Sequence, residues 1–148
     1  MNDKATILLI DDNPDDYEAT ERSFEAANFA NPIQWCHSAK DGIDYLKRSG
    51  KFEGRSPETH PCLILLDLNM PGMDGRAALK KIKQDVSICA VPVIVLTTSS
   101  DEKDIELCYQ LGASTYIQKP VEFNSLVAAV ARMKDYWFEV ALLPKVKS

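Results

Sequence analysis

Short unbroken apolar runs alternate along the chain with longer stretches in which apolar residues recur every three or four positions. The clearest run is Leu63 to Leu66. It leads directly into Asp67 and Leu68 and then into a turn-rich segment containing Asn69, Pro71, Gly72, Asp74 and Gly75. A run this short, bounded by turn residues, suits a strand buried on both faces. Three runs resemble it. Ala5 to Ile10 ends in Asp11 and Asp12, the stretch after Pro92 ends at Thr97 and Thr98, and Thr115 to Ile117 runs into Gln118, Lys119 and Pro120. Ile33 to His37 supplies a fifth strand.

Between these runs the period changes to that of a helix. Asn13 is placed to cap the first helix, with Pro14 at its first position, Asp15 and Asp16 in its first turn, and Tyr17, Thr20, Phe24 and Ala27 as its inward stripe. Ser38 to Asp41 reads as a capping box for a second helix carrying Ile43 and Leu46. Asp74 caps a third that runs through Asp85, with Ala78, Leu79 and Ile82 inward. Ser99 and Glu102 read as a second capping box for a helix with Ile105, Cys108 and Leu111 inward and Gly112 as terminator. The last helix starts near Glu122 and turns Phe123, Leu126, Val127, Val130, Met133 and Trp137 to one face. Five apolar strands alternating with five helices predict a parallel sheet covered on both faces. Right-handed crossovers put every strand's C-terminal end on one edge. The polar stretch from Arg48 to Pro61, with Gly50, Gly54 and Pro57, reads as a tolerated surface insertion rather than a functional loop.

Composition narrows the function. The 148 residues suffice for one domain, and a net charge of −5 argues against nucleic acid as the main partner. No apolar run approaches the roughly 18 residues of a membrane span. The start, MNDKATILLIDDN, is not a signal peptide. Cys36, Cys62, Cys89 and Cys108 have no CxxC spacing, and neither His37 nor His60 lies near a cysteine pair. They predict reduced core thiols in the cytoplasm and no zinc site.

The strand ends carry the chemistry. One edge of such a sheet collects Asp11, Asp12, Asp67, the backbone of Asn69, Thr97 and Lys119. Three neighbouring carboxylates repel one another unless a cation joins them, and an all-oxygen ligand set favours Mg2+ over zinc or copper. Lys119 and Thr97 then supply a cation and a hydroxyl suited to a phosphoryl group. Asp67, central among the acids, is the natural nucleophile, and the product would be an aspartyl phosphate.

With these residues and with Tyr116, Pro120 and the NMPGMDG turn, the chain resembles the response-regulator receiver domains of two-component signalling over residues 5 to about 139. The resemblance implies a flavodoxin-like doubly wound (βα)5 fold occupying the whole chain as a single domain. It implies that Asp12 binds Mg2+ with Asp11 assisting and that Asp67 and the Asn69 carbonyl complete the site. Asp67 would accept phosphoryl from a histidine kinase, Lys119 would contact it, and Thr97 and Tyr116 would form a conformational switch. DDNPDD near the start and FNSLVAAVARMKDYWFEVALLP near the end are similar to the small stand-alone regulators that partner bacterial phytochromes.

The main competitor is an Mg2+-dependent phosphatase of the haloacid dehalogenase type, an enzyme that also uses an Asp nucleophile with Thr and Lys at strand ends. That family needs a second Asp two residues after the first, where this chain has Asn69, which cannot exchange a proton. A receiver that serves only as an interaction module would lack some of the expected side chains, and all are present. A flavodoxin-like cofactor binder would set an FMN phosphate against the acidic edge. About nine residues follow Glu139, too few for a DNA-binding domain, so the sequence predicts signalling by protein contact rather than enzymatic turnover. Tyr136, Phe138, Val140, Leu142 and Leu143 exceed what one buried helix stripe needs. They predict a homodimer through the fourth helix, the fifth strand, the fifth helix and its tail.

Overall fold

The computed structural model describes residues 5–144. Five parallel strands, β1 (Ile7–Ile10), β2 (Ile33–Cys36), β3 (Leu63–Leu66), β4 (Val93–Thr97) and β5 (Thr115–Gln118), form one sheet in the order β2-β1-β3-β4-β5. This is the flavodoxin-like doubly wound order, whose ligand crevice lies at the carboxyl ends of β1 and β3. The three central strands consist of fully buried residues, as an apolar run covered on both faces requires.

Five helices cover the sheet: α1 (Pro14–Ala26), α2 (Ala39–Lys47), α3 (Gly75–Gln84), α4 (Glu102–Gln110) and α5 (Phe123–Lys134). Strand alternation divides the core into two halves. Leu8 and Ile10 of β1 point to the side of α2, α3 and α4, where Tyr45, Leu46, Leu79, Ile82 and Cys108 pack. Ile7 and Leu9 point to the side of α1 and α5, where Phe24, Leu126, Val130 and Met133 pack.

Three predicted caps form as hydrogen bonds: Asn13 Oδ1 accepts from Asp15 N–H, Ser38 Oγ from Asp41 N–H, and Asp74 Oδ1 from Ala77 N–H. The fourth differs. Asp101, not Ser99, caps α4, because the Ser99 hydroxyl is committed to Asp104. Phe123 also departs from the predicted stripe and stands exposed at the start of α5, with the Arg22 guanidinium 5.4 Å from its ring centre.

Residues 48–61 are built rather than loose. They contain two 3-10 turns, Gly50–Phe52 and Pro57–Thr59. Arg55 lies over the Tyr45 ring and donates to the Tyr45 carbonyl, while the Tyr45 hydroxyl donates to the Thr59 carbonyl. After α5, Asp135–Val140 forms a π-helical turn. The wider turn changes the facing of the residues that follow. Trp137, Phe138 and Leu143 reach the α1–α5 core, and Phe138 meets Phe29 edge-on at 5.1 Å. Tyr136, Val140 and Leu142 remain exposed. The apolar tail is therefore divided between the core and the surface.

Candidate phosphoacceptor site

Register brings the acidic residues together. Ile10 pairs with Leu66, so Asp11 and Asp67 leave β1 and β3 side by side, and the Asp67 N–H donates to the Ile10 carbonyl at 3.0 Å. Asp11 is 2% exposed and Asp67 7%. One carboxylate oxygen from each of Asp11, Asp12 and Asp67 falls within 4.8 Å of the others. The donor set is all oxygen and carries three potential negative charges, which suits a hard divalent cation.

Lys119 closes this corner from β5. Its N–H bonds the Thr97 carbonyl at 2.5 Å, and its side chain reaches across the edge to Asp11 Oδ2 at 3.2 Å and Asp16 Oδ2 at 3.1 Å. Burial pulls the Lys119 amine down, but the opposed charges of Asp11, Asp67 and Asp16 outweigh it and leave the pKa raised. The amine is thus held as a cation. Burial pushes Asp11 up from the ordinary carboxylate value and outweighs Lys119 and the Asn13 N–H, which both favour its charged form. A buried carboxylate pushed toward its neutral form is a group that a metal would return to its anion.

Two residues of this corner carry no signal in the local sequence pattern. Asp16 reads locally as a first-turn acid favouring the α1 dipole, yet it is the second carboxylate on Lys119, 103 positions away. Trp35 of β2 donates its indole N–H to the Asp11 carbonyl at 2.7 Å. Its ring is stacked between Tyr17, 4.4 Å away, and His37, 4.1 Å away. This three-ring stack flanks Asp11 and fixes its backbone from the β2 side.

Thr97 ends β4 with no exposure, and its Oγ1 has no hydrogen-bond partner among the described residues. A buried hydroxyl without a partner costs free energy until a donor or acceptor arrives. Beyond it, Tyr116 packs its ring against the α2–α3–α4 core and donates its hydroxyl to the Ser99 carbonyl at 2.9 Å. The ring thus occupies the inward position that the resemblance to receiver domains implies for one state of a switch. Asn69 is exposed on the turn after β3. The structure therefore gathers Asp11, Asp12, Asp67 and Lys119 at one point, sets Thr97 at the end of the neighbouring strand, and turns Tyr116 toward the loop that follows Thr97.

The turn itself depends on Gly75. A Cβ there would stand 2.2 Å from the Asp67 carbonyl oxygen and 2.5 Å from Leu68 Cα. The Gly75 N–H donates to the Leu68 carbonyl at 2.9 Å, so the first residue of α3 presses against the backbone of Asp67 and Leu68.

Comparison with known proteins agrees with this geometry. The family model described as response regulator receiver domain matches residues 7–131. The probable methanogenesis regulatory protein FilR2 of Methanothrix harundinacea is 37% identical over 135 residues, 91% of this chain and 84% of that protein. Response regulator Rcp1 of Synechocystis is 32% identical over 143 residues, 97% of this chain and 95% of that protein. The crystal structure of Mn2+-bound Rcp1 matches with a TM-score of 0.85 at 30% identity, covering 95% of this chain and 99% of that one. That of the phosphorylated cyanobacterial phytochrome response regulator RcpA matches with a TM-score of 0.87 at 32% identity, covering 96% and 99%.

Proposed function

The chain belongs to the response-regulator receiver family of two-component signalling, and on that premise we propose that Asp67 is its phosphoacceptor and that Mg2+ is the divalent metal of the site. The observation that carries this reading is the corner where Asp11, Asp12 and Asp67 converge within 4.8 Å and Lys119 reaches in from β5. Asp11, Asp12, Asp67 and the Asn69 carbonyl would hold the ion. When bound, the ion offsets the negative charge of the transferring phosphoryl group.

Transfer forms one P–O bond from an Asp67 carboxylate oxygen and breaks the P–N bond of a kinase phosphohistidine, whose imidazole leaves with the electron pair. A carboxylate nucleophile needs no general base. Lys119 donates from its amine to the new phosphoryl oxygens, and Thr97 Oγ1 gains the partner it lacks. Thr97 and Tyr116 together then report the change to the surface. Incubation with acetyl phosphate and Mg2+ followed by intact-mass measurement tests the assignment. Wild type gains one phosphoryl mass and Asp67→Asn gains none, and a full adduct on Asp67→Asn would refute it.

We propose a phytochrome-type histidine kinase as the donor, supported by the likeness to Rcp1 and RcpA. Relative rates of phosphotransfer from autophosphorylated kinases test this choice. The cytoplasm is the matching compartment, and the four cysteines are free thiols. Output passes through a homodimer built on α4, β5, α5 and the tail. The exposed Tyr136, Val140 and Leu142 support this reading, as does the open groove lined by Thr115, Ile117, Ala129, Arg132 and Met133. Light scattering reads a dimer in wild type and its loss on truncation after Lys134, while a monomeric wild type with and without beryllofluoride would refute it.

A further inference from the structure

A second group of side chains, outside the phosphoacceptor corner, joins α3 to Tyr116. Arg76 follows Gly75 in the first turn of α3. Its Nε donates to Asp104 Oδ1 and its Nη2 to Asp104 Oδ2, both at 2.8 Å, a two-pronged pairing with α4. The same Asp104 Oδ2 accepts the Ser99 hydroxyl at 2.8 Å. Ser99 lies two residues beyond Thr97, and its carbonyl is the acceptor of the Tyr116 hydroxyl. The Tyr116 N–H in turn donates to the Tyr109 hydroxyl of α4 at 3.1 Å. The chain of bonds therefore runs from α3 through α4 and the β4–α4 loop to β5.

Its starting point matters. The start of α3 packs against the Asp67 and Leu68 backbone so closely that a Cβ at Gly75 would collide with it. A helix start seated on the acceptor's backbone and a guanidinium one residue later on Asp104 of α4, which in turn holds Ser99 of the β4–α4 loop, make one rigid connection. The Arg76 and Asp104 side chains are mostly shielded, at 27% and 17% exposure, so solvent screens the pair less than an open surface pair. The fork geometry fixes angle as well as distance, which a lysine could not do.

We propose that Arg76 and Asp104 are positioning residues for the switch. Their pairing holds Ser99 where its carbonyl receives the Tyr116 hydroxyl, and so favours the arrangement of the β4–α4 loop that a phosphoryl group on Asp67 requires. This rests on the Asp67 reading above. Neither residue touches the carboxylate corner, so the pairing acts on the switch equilibrium and not on metal binding.

The test measures beryllofluoride affinity in Mg2+ by calorimetry, alongside the affinity for Mg2+ alone. Arg76→Gln and Asp104→Asn are each expected to weaken beryllofluoride binding about five- to tenfold, within the usual range of coupling between sites. Mg2+ affinity is expected to stay within about twofold on the same reasoning, because no metal ligand is altered. The discriminating measurement is a double-mutant cycle with Tyr116→Phe. If the network acts through the Tyr116 hydroxyl, Arg76→Gln adds little once that hydroxyl is gone, whereas independent structural damage adds in full. Arg76→Lys, which keeps the charge but not the fork, provides a milder variant with a smaller loss should Arg76→Gln fold poorly. Unchanged beryllofluoride affinity, or full additivity with Tyr116→Phe, would overturn the inference. If wild type itself bound no beryllofluoride, the Asp67 reading would fall and this inference with it. Binding by wild type that is unchanged in Arg76→Gln would remove the inference alone.

Discussion

Gly75→Ala is the smallest change that should separate the fold of this protein from its phosphoacceptor chemistry. The added Cβ would lie 2.2 Å from the Asp67 carbonyl oxygen, 2.5 Å from Leu68 Cα and 2.9 Å from the Asp67 carbonyl carbon. Ordinary contact begins near 3.4 Å, so something must move by about 1 Å. All three obstacles are backbone atoms. They belong to a segment fixed by the Asp67 N–H bond to the Ile10 carbonyl and by Leu68, which is fully buried. The start of α3 must therefore withdraw, stretching its Gly75 N–H bond to the Leu68 carbonyl. Overpacking costs about 1–3 kcal/mol and a weakened hydrogen bond about 1 kcal/mol, while alanine in place of glycine in a helix returns up to about 1 kcal/mol. The expected net loss is about 2 kcal/mol. The chemical effect should be larger than that figure suggests, since a displacement of about 1 Å near reacting groups can slow a reaction about 100-fold. Gly42→Ala is the control. Its Cβ would meet Ile10 Cδ1 at 2.4 Å, the end of a flexible side chain on α2's side of the core rather than backbone of the acceptor turn. Urea unfolding gives the stabilities, and mass-detected phosphorylation by acetyl phosphate gives the rates. Both variants should lose stability, and only Gly75→Ala should lose most of its phosphorylation rate. A Gly75→Ala protein as stable and as fast as wild type would refute the reasoning, as would equal slowing in both variants.

Two further outcomes follow from single contacts. Trp35→Phe keeps a ring between Tyr17 and His37 but removes the N–H that holds the Asp11 carbonyl. Calorimetry should find Mg2+ bound about tenfold more weakly, as for other residues that orient metal ligands, and unchanged affinity would refute the role. Hydrogen bonding from Arg76 holds the Asp104 carboxyl below its ordinary value of 3.8. The pair's contribution to stability should therefore be complete well above pH 3.8 and decline as pH falls through the lowered folded value. Unfolding of wild type and Asp104→Asn at several pH values should give a stability difference that is level from about pH 6 to pH 5 and shrinks in more acidic solution. A difference that grew on acidification would contradict the sign.

Sequence alone revealed whatever depends on neighbours in the chain. The runs ILLI, LILL and VIVLT could only be buried strands, and the residues ending them had to share an edge once the sheet was parallel. Caps by Asn13, Ser38 and Asp74 bridge two or three residues, so a local pattern suffices to find them. The misreadings have the opposite character. Ser99 has the right spacing for a cap, but a longer-range interaction won, because Arg76 brings Asp104 to where it takes the Ser99 hydroxyl. Trp35 and Asp11 are 24 positions apart, and Lys119 and Asp16 are 103 apart. No periodicity signals such pairs, since each exists only when separate strand ends meet at one edge. Phe123 fits the helical stripe but lies at the first position of α5, exposed, with the Arg22 guanidinium of α1 over its ring. The apolar surplus of the tail points as a whole to an interface, yet part of it packs in the core. The π-helical turn divides it between the two, and that extra residue per turn is not visible in an apolar pattern.

The Thr97 hydroxyl, without a hydrogen-bond partner among the described residues, gives a scale for the proposed switch. It lies wholly buried at the end of β4, beside strand ends that carry three carboxylates. An unsatisfied buried hydroxyl costs about 1–3 kcal/mol. A ligand shifts a two-state equilibrium only by what it gains in one state over the other. If a phosphoryl oxygen satisfies Thr97 in the signalling state alone, relief of that cost biases the equilibrium about 5- to 150-fold toward it. That is enough to move a minor population to a major one and too little to make the change irreversible. The size also explains why the remaining parts of the switch must be placed in advance. With only a few kcal/mol available, little can be spent on ordering the β4–α4 loop. The Arg76–Asp104–Ser99 bonds order it without drawing on the phosphoryl group. On the proposed reading, Thr97 would supply the dependence on phosphorylation, and the α3–α4 pairing would make so small a bias sufficient.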